Sequence, residues 1–220
     1  MITVAMITMN EAGVVAKVIR DIKEALPDAE VLIVDSSSDK TPEIAESLGT
    51  RVIRQYPPQG YGKAMYLALT SAEGDVVVTL DCDDTYPAYE IPKITNLILN
   101  EGYDIIDGSR LKKKPEAMPW INYFANAGFA IIGSILFGVR LTDLHSGMRA
   151  YRKTLITELI EKIDPEGAAL PVELLLRPLR LRKKMKVVYI DYFERVGEST
   201  MKPLESAWWT LKRIFRARFT

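Results

Sequence analysis

The 220-residue sequence lacks several features that would mark particular classes of protein. It has one cysteine, Cys82, so no disulfide can form within the chain, which is typical of a reducing compartment. Its 29 basic residues balance 29 acidic ones, so no overall field attracts nucleic acid. Its longest uncharged apolar run, residues 127–139, is shorter than the roughly 20 residues of a membrane-spanning helix. We therefore expect a protein that does not cross a membrane.

What the chain has is a globular composition with unevenly distributed charge. Hydrophobic residues make up 48% and charged residues 26%, which suits one folded domain of this length. Residues 177–220 contain twelve Lys and Arg but four Asp and Glu, which gives +8 there and −8 over residues 1–176. A basic end predicts an anionic partner, either a membrane surface or nucleic acid. The N-terminus has no basic start typical of a signal peptide, so we expect a cytoplasmic protein.

The first half of the chain alternates short β-branched runs with helical patterns. Strands are predicted at residues 2–7, 31–34, 51–54 and 76–80. Helices are predicted at residues 11–26, from Thr41 to Gly49, and at 61–72. This alternation predicts an α/β fold with a Rossmann-like, doubly wound, mainly parallel sheet flanked by helices. Ligands bind beyond the carboxyl ends of the strands in such sheets.

The second half of the chain is less regular. Strands are predicted at residues 105–108, 147–151 and 187–193, and helices at 91–100, 120–137 and 171–181. A basic, aromatic segment at residues 204–219 is predicted to form a last helix. The apolar helix around residues 129–137 either lies in the core or flanks a lipid groove, and we expect the core.

The strongest chemical signal is Asp81-Cys82-Asp83-Asp84, which follows the predicted buried strand at residues 76–80. Carboxylates packed this closely repel one another, and a divalent cation removes the repulsion. Mg²⁺ or Mn²⁺ prefers such oxygen ligands and shares its shell with substrate phosphates. The alternative is that an acidic or hydroxyl group here caps the helix near Pro87. A cap needs only one such group, so the surplus favours a metal at Asp81 and Asp83.

Three other predicted strand and loop ends carry polar residues. Asp35 follows the second strand and can accept hydrogen bonds from a base or a ribose. Thr8 and Glu11 follow the first strand, where Glu11 can hold a ribose. Gly60 and Lys63 add a flexible backbone and a cation, without the spacing of a P-loop. Helix capping explains Asp35 and Glu11 equally well in isolation. Their common place on one sheet edge favours a nucleotide site.

Six segments together resemble the family 2 glycosyltransferases with the GT-A fold, especially the dolichyl-phosphate mannose and glucose synthases. The resemblance covers nearly the whole chain. The segments are Thr8-Met9-Asn10-Glu11, Val34-Asp35-Ser36-Ser37-Ser38-Asp39-Lys40-Thr41, Asp81-Cys82-Asp83, Asp107-Gly108-Ser109-Arg110, Thr142-Asp143-Leu144-His145-Ser146-Gly147-Met148-Arg149-Ala150-Tyr151-Arg152, and Arg195-Val196-Gly197-Glu198-Ser199-Thr200-Met201-Lys202.

The resemblance implies an inverting transfer of a sugar from a UDP- or GDP-linked donor to a polyprenyl (dolichyl) phosphate. Glu11 and Asp35 would hold the nucleoside, Asp81 would approach the ribose and the metal, and Asp83 would bind Mg²⁺ or Mn²⁺. Ile7, Met9 and Ser36 depart from the family pattern where the base is bound, so the base and the sugar stay open.

The same resemblance implies an acceptor side. Arg110 and Ser146 would face the acceptor phosphate. Asp143, between them in sequence, either orients the acceptor loop or caps a turn. Arg195 and Lys202 would bind the diphosphate or the acceptor phosphate, which makes Asp81, Asp83 and Arg195 the predicted catalytic set. Thr85 stands where dolichyl-phosphate mannose synthases often carry a metal-binding glutamine.

The nucleophile separates two kinds of acceptor. A phosphate monoester is already ionised at neutral pH because its second pKa is near 6, whereas an alcohol requires a general base. The candidate bases are Asp143, His145 and Glu173. His145 is the only histidine, and a lone loop histidine is more often a hydrogen-bonding residue than a catalyst. The lack of an obvious base favours a phosphate acceptor.

The basic tail favours a lipid. Its apolar residues are predicted to share one helical face edged by cations, which suits a helix lying at a membrane interface. These residues are Leu204, Trp208, Leu211, Ile214, Phe215 and Phe219. The alternative is a helix packed on the protein body. We thus expect a glycosyltransferase domain at residues 1–203 and a membrane-interface tail at 204–220, peripheral on the cytoplasmic face and without nucleic acid.

Three rival functions remain open from the sequence. The first is transfer to a soluble acceptor such as a sugar alcohol or phosphoglycerate, which would not depend on lipid. The second is a membrane-recruited nucleotide-binding protein without turnover, which the Asp81 and Asp83 pair argues against. A nucleotidyltransferase, which would release pyrophosphate, is a further enzymatic alternative. The oligomeric state is not predicted.

Overall fold

Seven strands form one mixed sheet in the computed structural model, which describes residues 1–196 and 203–220. The strands are β1 (Ile2–Thr8), β2 (Glu30–Asp35), β3 (Arg51–Arg54), β4 (Val76–Thr79), β5 (Ile105–Ser109), β6 (Arg149–Arg152) and β7 (Met185–Tyr189). Their order is β3-β2-β1-β4-β6-β5-β7. Only β6 runs antiparallel to its neighbours among these strands. The predicted mainly parallel α/β fold is therefore confirmed.

Helices cover both faces of this sheet. They are α1 (Val15–Ala25), α2 (Thr41–Ser47), α3 (Tyr61–Ser71), α4 (Ile91–Glu101), α5 (Trp120–Phe137), α6 (Lys153–Ile160), α7 (Leu170–Arg180) and α8 (Pro203–Phe219). Helix α1 buries Val15, Val18, Ile19 and Ile22, whose spacing of three and four residues places them on one side of the helix. The central strand β4 is buried at all four positions, as a strand covered on both faces must be.

The topology brings every predicted functional loop to one edge of the sheet. Strands β1, β2 and β4 are parallel, so Thr8, Asp35 and Asp81 follow strand ends on the same side. Strand β5 lies two places from β4 and points the same way, which adds Arg110. Because β6 is reversed, the segment before it, which contains Asp143, reaches that edge from the other direction.

Most predicted elements are found within a few residues of their predicted bounds. Helix α6 was not predicted, because its eight residues directly follow β6 without an intervening turn signal. Two glycines follow helix ends, and Gly102 after α4 and Gly138 after α5 have φ values of 71° and 67°. Such left-handed backbone favours glycine.

Helix α5 lies at the surface, although Phe129, Ile132, Leu136 and Phe137 are partly buried and pack against the core. The expectation that residues 129–137 lie in the core therefore holds for only one side of the helix. Only Ala130 and Gly133 are buried in it. Ile121 and Ile135 are each 76% exposed, while Trp120, Phe124 and Ile131 are also exposed. Among the described residues, α5 is the one helix long and apolar enough to cross a membrane, judged by length and composition alone. The uncharged run at residues 127–139 did not indicate an apolar helix of this length, because the helix begins seven residues earlier, at Trp120.

Helix α8 packs against α7 and divides its apolar residues between two sides. Ile214 and Ala217 are fully buried in the core on this face of the sheet. Leu204, Trp208 and Phe219 are 89%, 67% and 65% exposed. The prediction that the apolar residues of this segment share one exposed face is therefore wrong for Ile214. The division into a domain at residues 1–203 and a tail at 204–220 stays a prediction.

Candidate functional site

Asp81 and Asp83 lie in the loop that follows β4, at the carboxyl edge of the sheet. Asp83 is buried, and its Oδ1 accepts a 2.6 Å hydrogen bond from the Thr85 hydroxyl and a 3.2 Å bond from the Thr85 amide. Asp84 adopts a left-handed φ of 64° and pairs with Lys17 at 2.7 Å. The loop therefore separates its acidic residues, and Thr85 fixes one oxygen of Asp83.

Asp81 is held in an environment that opposes its charge. Burial and the nearby Asp83 charge raise the pKa of the Asp81 carboxyl to about 6. The backbone of Gly147, just before β6, passes so close that a Cβ there would lie 2.3 Å from Asp81 Oδ2. The Gly147 amide in turn donates a 2.7 Å hydrogen bond to the Tyr86 hydroxyl. Only glycine fits this position without displacing the Asp81 carboxylate.

Arg195 connects the two predicted sides of the site. Its Nη1 lies 3.2 Å from Asp83 Oδ2, and its Nη2 lies 3.2 Å from Glu11 Oε1. The pKa of Glu11 is raised, mainly by burial and against the lowering effect of Arg195. Three residues that are distant in sequence and predicted to bind metal, nucleoside and diphosphate thus meet at one point.

Asp35 is fully buried and has protein partners on both oxygens. Thr8 and Ser37 each donate a 2.6 Å hydroxyl hydrogen bond to Oδ2. The Ser37 amide and the Arg54 guanidinium lie against Oδ1. Direct nucleoside binding by Asp35 stays a prediction. In this arrangement Asp35 and Thr8 shape the loop after β2.

The remaining residues predicted on the donor side are less closely gathered. Gly60 precedes α3 with a φ of 99°, which permits the turn into that helix. Lys63 on α3 forms a 2.8 Å ion pair with Glu166, so the Lys63 ammonium group contacts that carboxylate rather than the residues around Asp83. Lys202 lies outside the described residues.

Arg110 and Asp143 form a buried pair on the acceptor side. Arg110 Nε lies 2.7 Å from Asp143 Oδ2 and its Nη2 lies 2.9 Å from Oδ1, a bidentate geometry. Burial alone would raise the pKa of Asp143, but Arg110 overrides it and holds that pKa at about 2. Ser146 is also buried and donates a 2.5 Å hydrogen bond to the Gly108 carbonyl. These contacts hold the loop before β6 against the end of β5.

Beneath this pair lies a charged contact that the sequence did not indicate as functional. Arg149 on β6 is fully buried and pairs with Asp107 on β5 at 2.7 Å. Its guanidinium also donates to the carbonyls of Pro171 and Leu144. Arg149 therefore ties β5, the acceptor loop and α7 together.

His145 joins the acceptor loop to two surface helices. Its Nε2 lies 2.7 Å from the Thr210 hydroxyl on α8, and its ring lies 5.6 Å from that of Phe129 on α5. The Thr210 hydroxyl donates to the Ser206 carbonyl, so the histidine nitrogen is the donor in the first contact. Burial lowers the pKa of His145 to about 4, so the ring is neutral at pH 7.

The residues at Asp83 fit a divalent cation. Both Asp81 and Asp83 offer hard oxygen ligands, and a guanidinium already stands as a positive charge against Asp83. Within residues 1–196 and 203–220, no group of three or more His, Cys, Asp or Glu is placed to hold a metal. Two carboxylates leave coordination positions for phosphate oxygens, which is the usual way Mg²⁺ binds with a nucleotide.

Sequence reasoning gave no role to Tyr86, Gly147 or Arg149, although Gly147 and Arg149 lie in a segment that carries the family resemblance. It marked Thr85 only as the place of a family glutamine. Thr85 and Tyr86 lie within the aspartate loop, so their nearness was visible. Gly147 and Arg149 reach the site only through the reversed strand β6, and a sequence pattern carries no signal for that reversal.

The fold is that of GT-A glycosyltransferases. Glucosyl-3-phosphoglycerate synthase from Mycobacterium tuberculosis, in complex with UDP, superposes with a TM-score of 0.76 over 98% of this chain and 79% of that chain, at 18% identity. The same synthase with Mn²⁺ and UDP-glucose also gives 0.76. At such low identity the likeness shows the fold alone.

Sequence similarity defines the family. Residues 3–160 match Glycosyl transferase family 2. A dolichyl-phosphate hexose transferase of Haloferax volcanii is 44% identical over 204 residues, 92% of this chain and 87% of that protein. An undecaprenyl-phosphate mannosyltransferase of Micrococcus luteus is 27% identical, over 88% of this chain and 84% of that protein. The chain belongs to glycosyl transferase family 2 and is a glycosyltransferase, which confirms the family that its motifs resemble.

Proposed function

We propose that this enzyme transfers a hexose from a UDP- or GDP-linked donor to a polyprenyl phosphate, with Mg²⁺ or Mn²⁺, at the cytoplasmic surface of a membrane. The observation that carries the proposal is the exposed apolar helix α5, which adjoins the Arg110 and Asp143 pair. The names of the relatives from H. volcanii and M. luteus, a dolichyl-phosphate and an undecaprenyl-phosphate transferase, agree with it.

The donor half of the proposal rests on the convergence at Asp83. Asp81 and Asp83 would hold the metal, and Glu11 would accept hydrogen bonds from the nucleoside. A bound divalent ion supplies Lewis-acid stabilisation of the departing diphosphate. Arg195 carries five hydrogen-bond donors in a planar group that suits diphosphate oxygens, so we assign it the leaving group.

The acceptor half rests on the state of the three candidate bases. Asp143 is paired with Arg110 and has a pKa of about 2, far too low for a general base near pH 7. His145 donates to Thr210, and Glu173 is fully buried against arginines on α7 and α8. A phosphate acceptor is already ionised and needs none of them. The Arg110 guanidinium lies at this edge as a positive charge for that phosphate.

The proposed use of a lipid acceptor rests on helices α5 and α8. A groove of about 180 Å³ lies between α5 and the segment before Asp143, and it is lined by Leu111, Tyr123, Ala127, Ile131 and Arg140 among others. Leu111, the residue after Arg110, lines this groove, so a phosphate near Arg110 would have a partly apolar groove beside it where its hydrocarbon chain could start.

Cations flank the exposed apolar residues. Lys112 and Lys113 are exposed before α5, and Lys114 lies 5.0 Å from the Trp120 ring. Helix α8 contacts α5 through a 2.9 Å hydrogen bond from Arg218 to the Leu136 carbonyl. Apolar side chains edged by lysine and arginine are typical of helices that lie in an anionic membrane interface. Because Ala130 and Gly133 attach α5 to the body, we place this helix along the surface rather than across the membrane.

Activity tests the donor and the acceptor together. Purified enzyme would be given Mn²⁺, UDP- and GDP-sugars, and polyprenyl phosphate in vesicles, with nucleoside diphosphate release as the readout. Release that requires the lipid phosphate and disappears in Asp83→Asn is expected. Equal release with 3-phosphoglycerate or without lipid would reject the lipid acceptor in favour of a soluble one.

Vesicle binding tests the surface separately. Ile135→Glu on α5 should weaken binding to phosphatidylglycerol vesicles about tenfold or more, because one buried isoleucine is worth about 1.5–3 kcal/mol. Leu99→Glu is the matched control, since Leu99 is a 49% exposed apolar residue on α4. Equal losses in the two variants, or no binding by the wild type, would contradict a docking surface on α5.

A further inference from the structure

The positive charge that faces Asp83 belongs to the chain itself. Asp83 Oδ1 is occupied by the hydroxyl and the amide of Thr85, at 2.6 and 3.2 Å. The oxygen left for a metal is Oδ2, and Arg195 Nη1 lies 3.2 Å from it. A divalent ion and this guanidinium would therefore compete for the same carboxylate oxygen.

The backbone around Arg195 is held while its side chain has room to move. The Phe193 amide donates to the Thr85 carbonyl at 3.0 Å, and the Val196 amide donates to the Asp83 carbonyl at 3.1 Å. These bonds fix the segment beside the aspartate loop. The Arg195 side chain is 37% exposed, and its two terminal nitrogens pair with Asp83 and Glu11.

We propose that Arg195 is an internal counter-ion of the metal site, which competes with the divalent metal for Asp83 and is transferred to the donor diphosphate when both bind. The inference rests on the proposed metal-dependent function and deepens it by assigning an order of contacts. One carboxylate cannot neutralise a guanidinium and a divalent ion together, and the ion carries the greater charge. A displaced guanidinium then has the diphosphate as its nearest strong partner.

This arrangement couples metal and nucleotide binding. Metal that binds alone must displace Arg195 from Asp83 and leave that cation beside it. Metal that binds with a nucleoside diphosphate does not meet this cost, because the diphosphate accepts the released guanidinium. We therefore expect positive coupling between Mn²⁺ and nucleoside diphosphate, and the coupling is reciprocal.

Direct binding measurements separate this role from a simple contact to substrate. Mn²⁺ binding would be measured by electron paramagnetic resonance and calorimetry, with and without UDP or GDP, in wild type, Arg195→Ala and Arg195→Lys. Arg195→Ala should bind Mn²⁺ alone more tightly, by up to about fivefold, the range that corresponds to one partly exposed ion pair. The same variant should bind nucleoside diphosphate with Mn²⁺ about tenfold more weakly. Arg195→Lys keeps the charge and should restore Mn²⁺ binding towards the wild-type value.

Lys17→Ala is the matched control for the general loss of one positive charge. Lys17 pairs with Asp84 of the same loop at 2.7 Å and with Asp21 at 2.8 Å. This control should change Mn²⁺ affinity less than twofold.

The proposal that Arg195 is a counter-ion is supported if Arg195→Ala binds Mn²⁺ alone more tightly but binds nucleoside diphosphate with Mn²⁺ more weakly. Unchanged or weaker binding of Mn²⁺ alone in Arg195→Ala overturns it, and so does an equal gain in Lys17→Ala. If neither wild type nor Arg195→Ala binds Mn²⁺, with or without nucleotide, the proposed metal-dependent function fails as well. Those outcomes distinguish failure of the counter-ion from failure of the metal site.

Discussion

Replacing Glu173 on α7 with glutamine should destabilise the enzyme more than any single surface change. Glu173 is fully buried and accepts from Arg177 Nε at 2.5 Å, Arg213 Nη1 at 2.6 Å and Arg216 Nε at 3.3 Å. Arg213 on α8 is itself 1% exposed. Glu173→Gln keeps the shape but removes the charge that balances these cations, of which two are buried.

The magnitude follows from the burial of this cluster. Removing one partner of a buried ion pair costs about 3–5 kcal/mol. For a chain of this length, each kcal/mol lowers the midpoint of thermal unfolding by about 2–4 °C, so a fall of about 6–20 °C is expected. Circular dichroism during thermal and urea unfolding at pH 7 would measure it.

Glu101→Gln is the matched control. Glu101 pairs with Lys186 at 3.4 Å, and both side chains are exposed, so the same chemical change should cost at most about 1 kcal/mol. A Glu173→Gln loss no greater than that of the control would refute the argument that this cluster holds α8 on α7. The cluster also predicts that residues 1–203 alone unfold at a lower temperature than the whole chain.

Three further predictions concern the aspartate loop. Gly147→Ala should abolish Mn²⁺ binding without unfolding the protein, because its Cβ would displace the Asp81 carboxylate, and calorimetry checks it. Thr85→Val should weaken Mn²⁺ binding about tenfold while Thr85→Ser keeps it, since the hydroxyl orients Asp83. Mn²⁺ affinity should fall about tenfold per pH unit below pH 6, because Asp81 must lose its proton to bind a metal.

Each of these has a result that contradicts it. Wild-type Mn²⁺ affinity in Gly147→Ala would mean that Asp81 is not a ligand. Equal loss in both Thr85 variants would point to packing rather than the hydroxyl. A pH midpoint near 4 would show that the pKa of Asp81 is not raised.

In the protein without metal, the raised pKa of Asp81 contributes stability that is present below pH 4 and is lost as the pH rises through 6, and Asp81→Asn should remove that dependence.

Much of the site could be predicted because strand ends are local features. The runs Val31-Leu32-Ile33-Val34 and Val76-Val77-Val78-Thr79 identify buried strands, and the residues that follow them must lie at one edge if the strands are parallel. That argument placed Asp35 and Asp81 correctly on the carboxyl edge of the sheet. It could not assign Arg54 to Asp35, because this partner comes from a strand whose register depends on the whole sheet.

The sequence by itself determined the family, the order of most helices and strands, and the carboxylates at the strand ends. Only the tertiary structure decided which carboxylates are free and which helices are exposed. Asp143 and Arg110 are 33 residues apart, and their pairing exists because β6 is reversed between β4 and β5. Helix α5 has the composition of a core helix, yet it lies at the surface, because Ala130 and Gly133 are buried, Phe129, Ile132, Leu136 and Phe137 pack only partly on the core, and its other side is exposed. Hydrophobic composition shows that a segment is more stable away from water. Only the packing of the whole chain decides whether that segment is covered by protein or by another apolar phase.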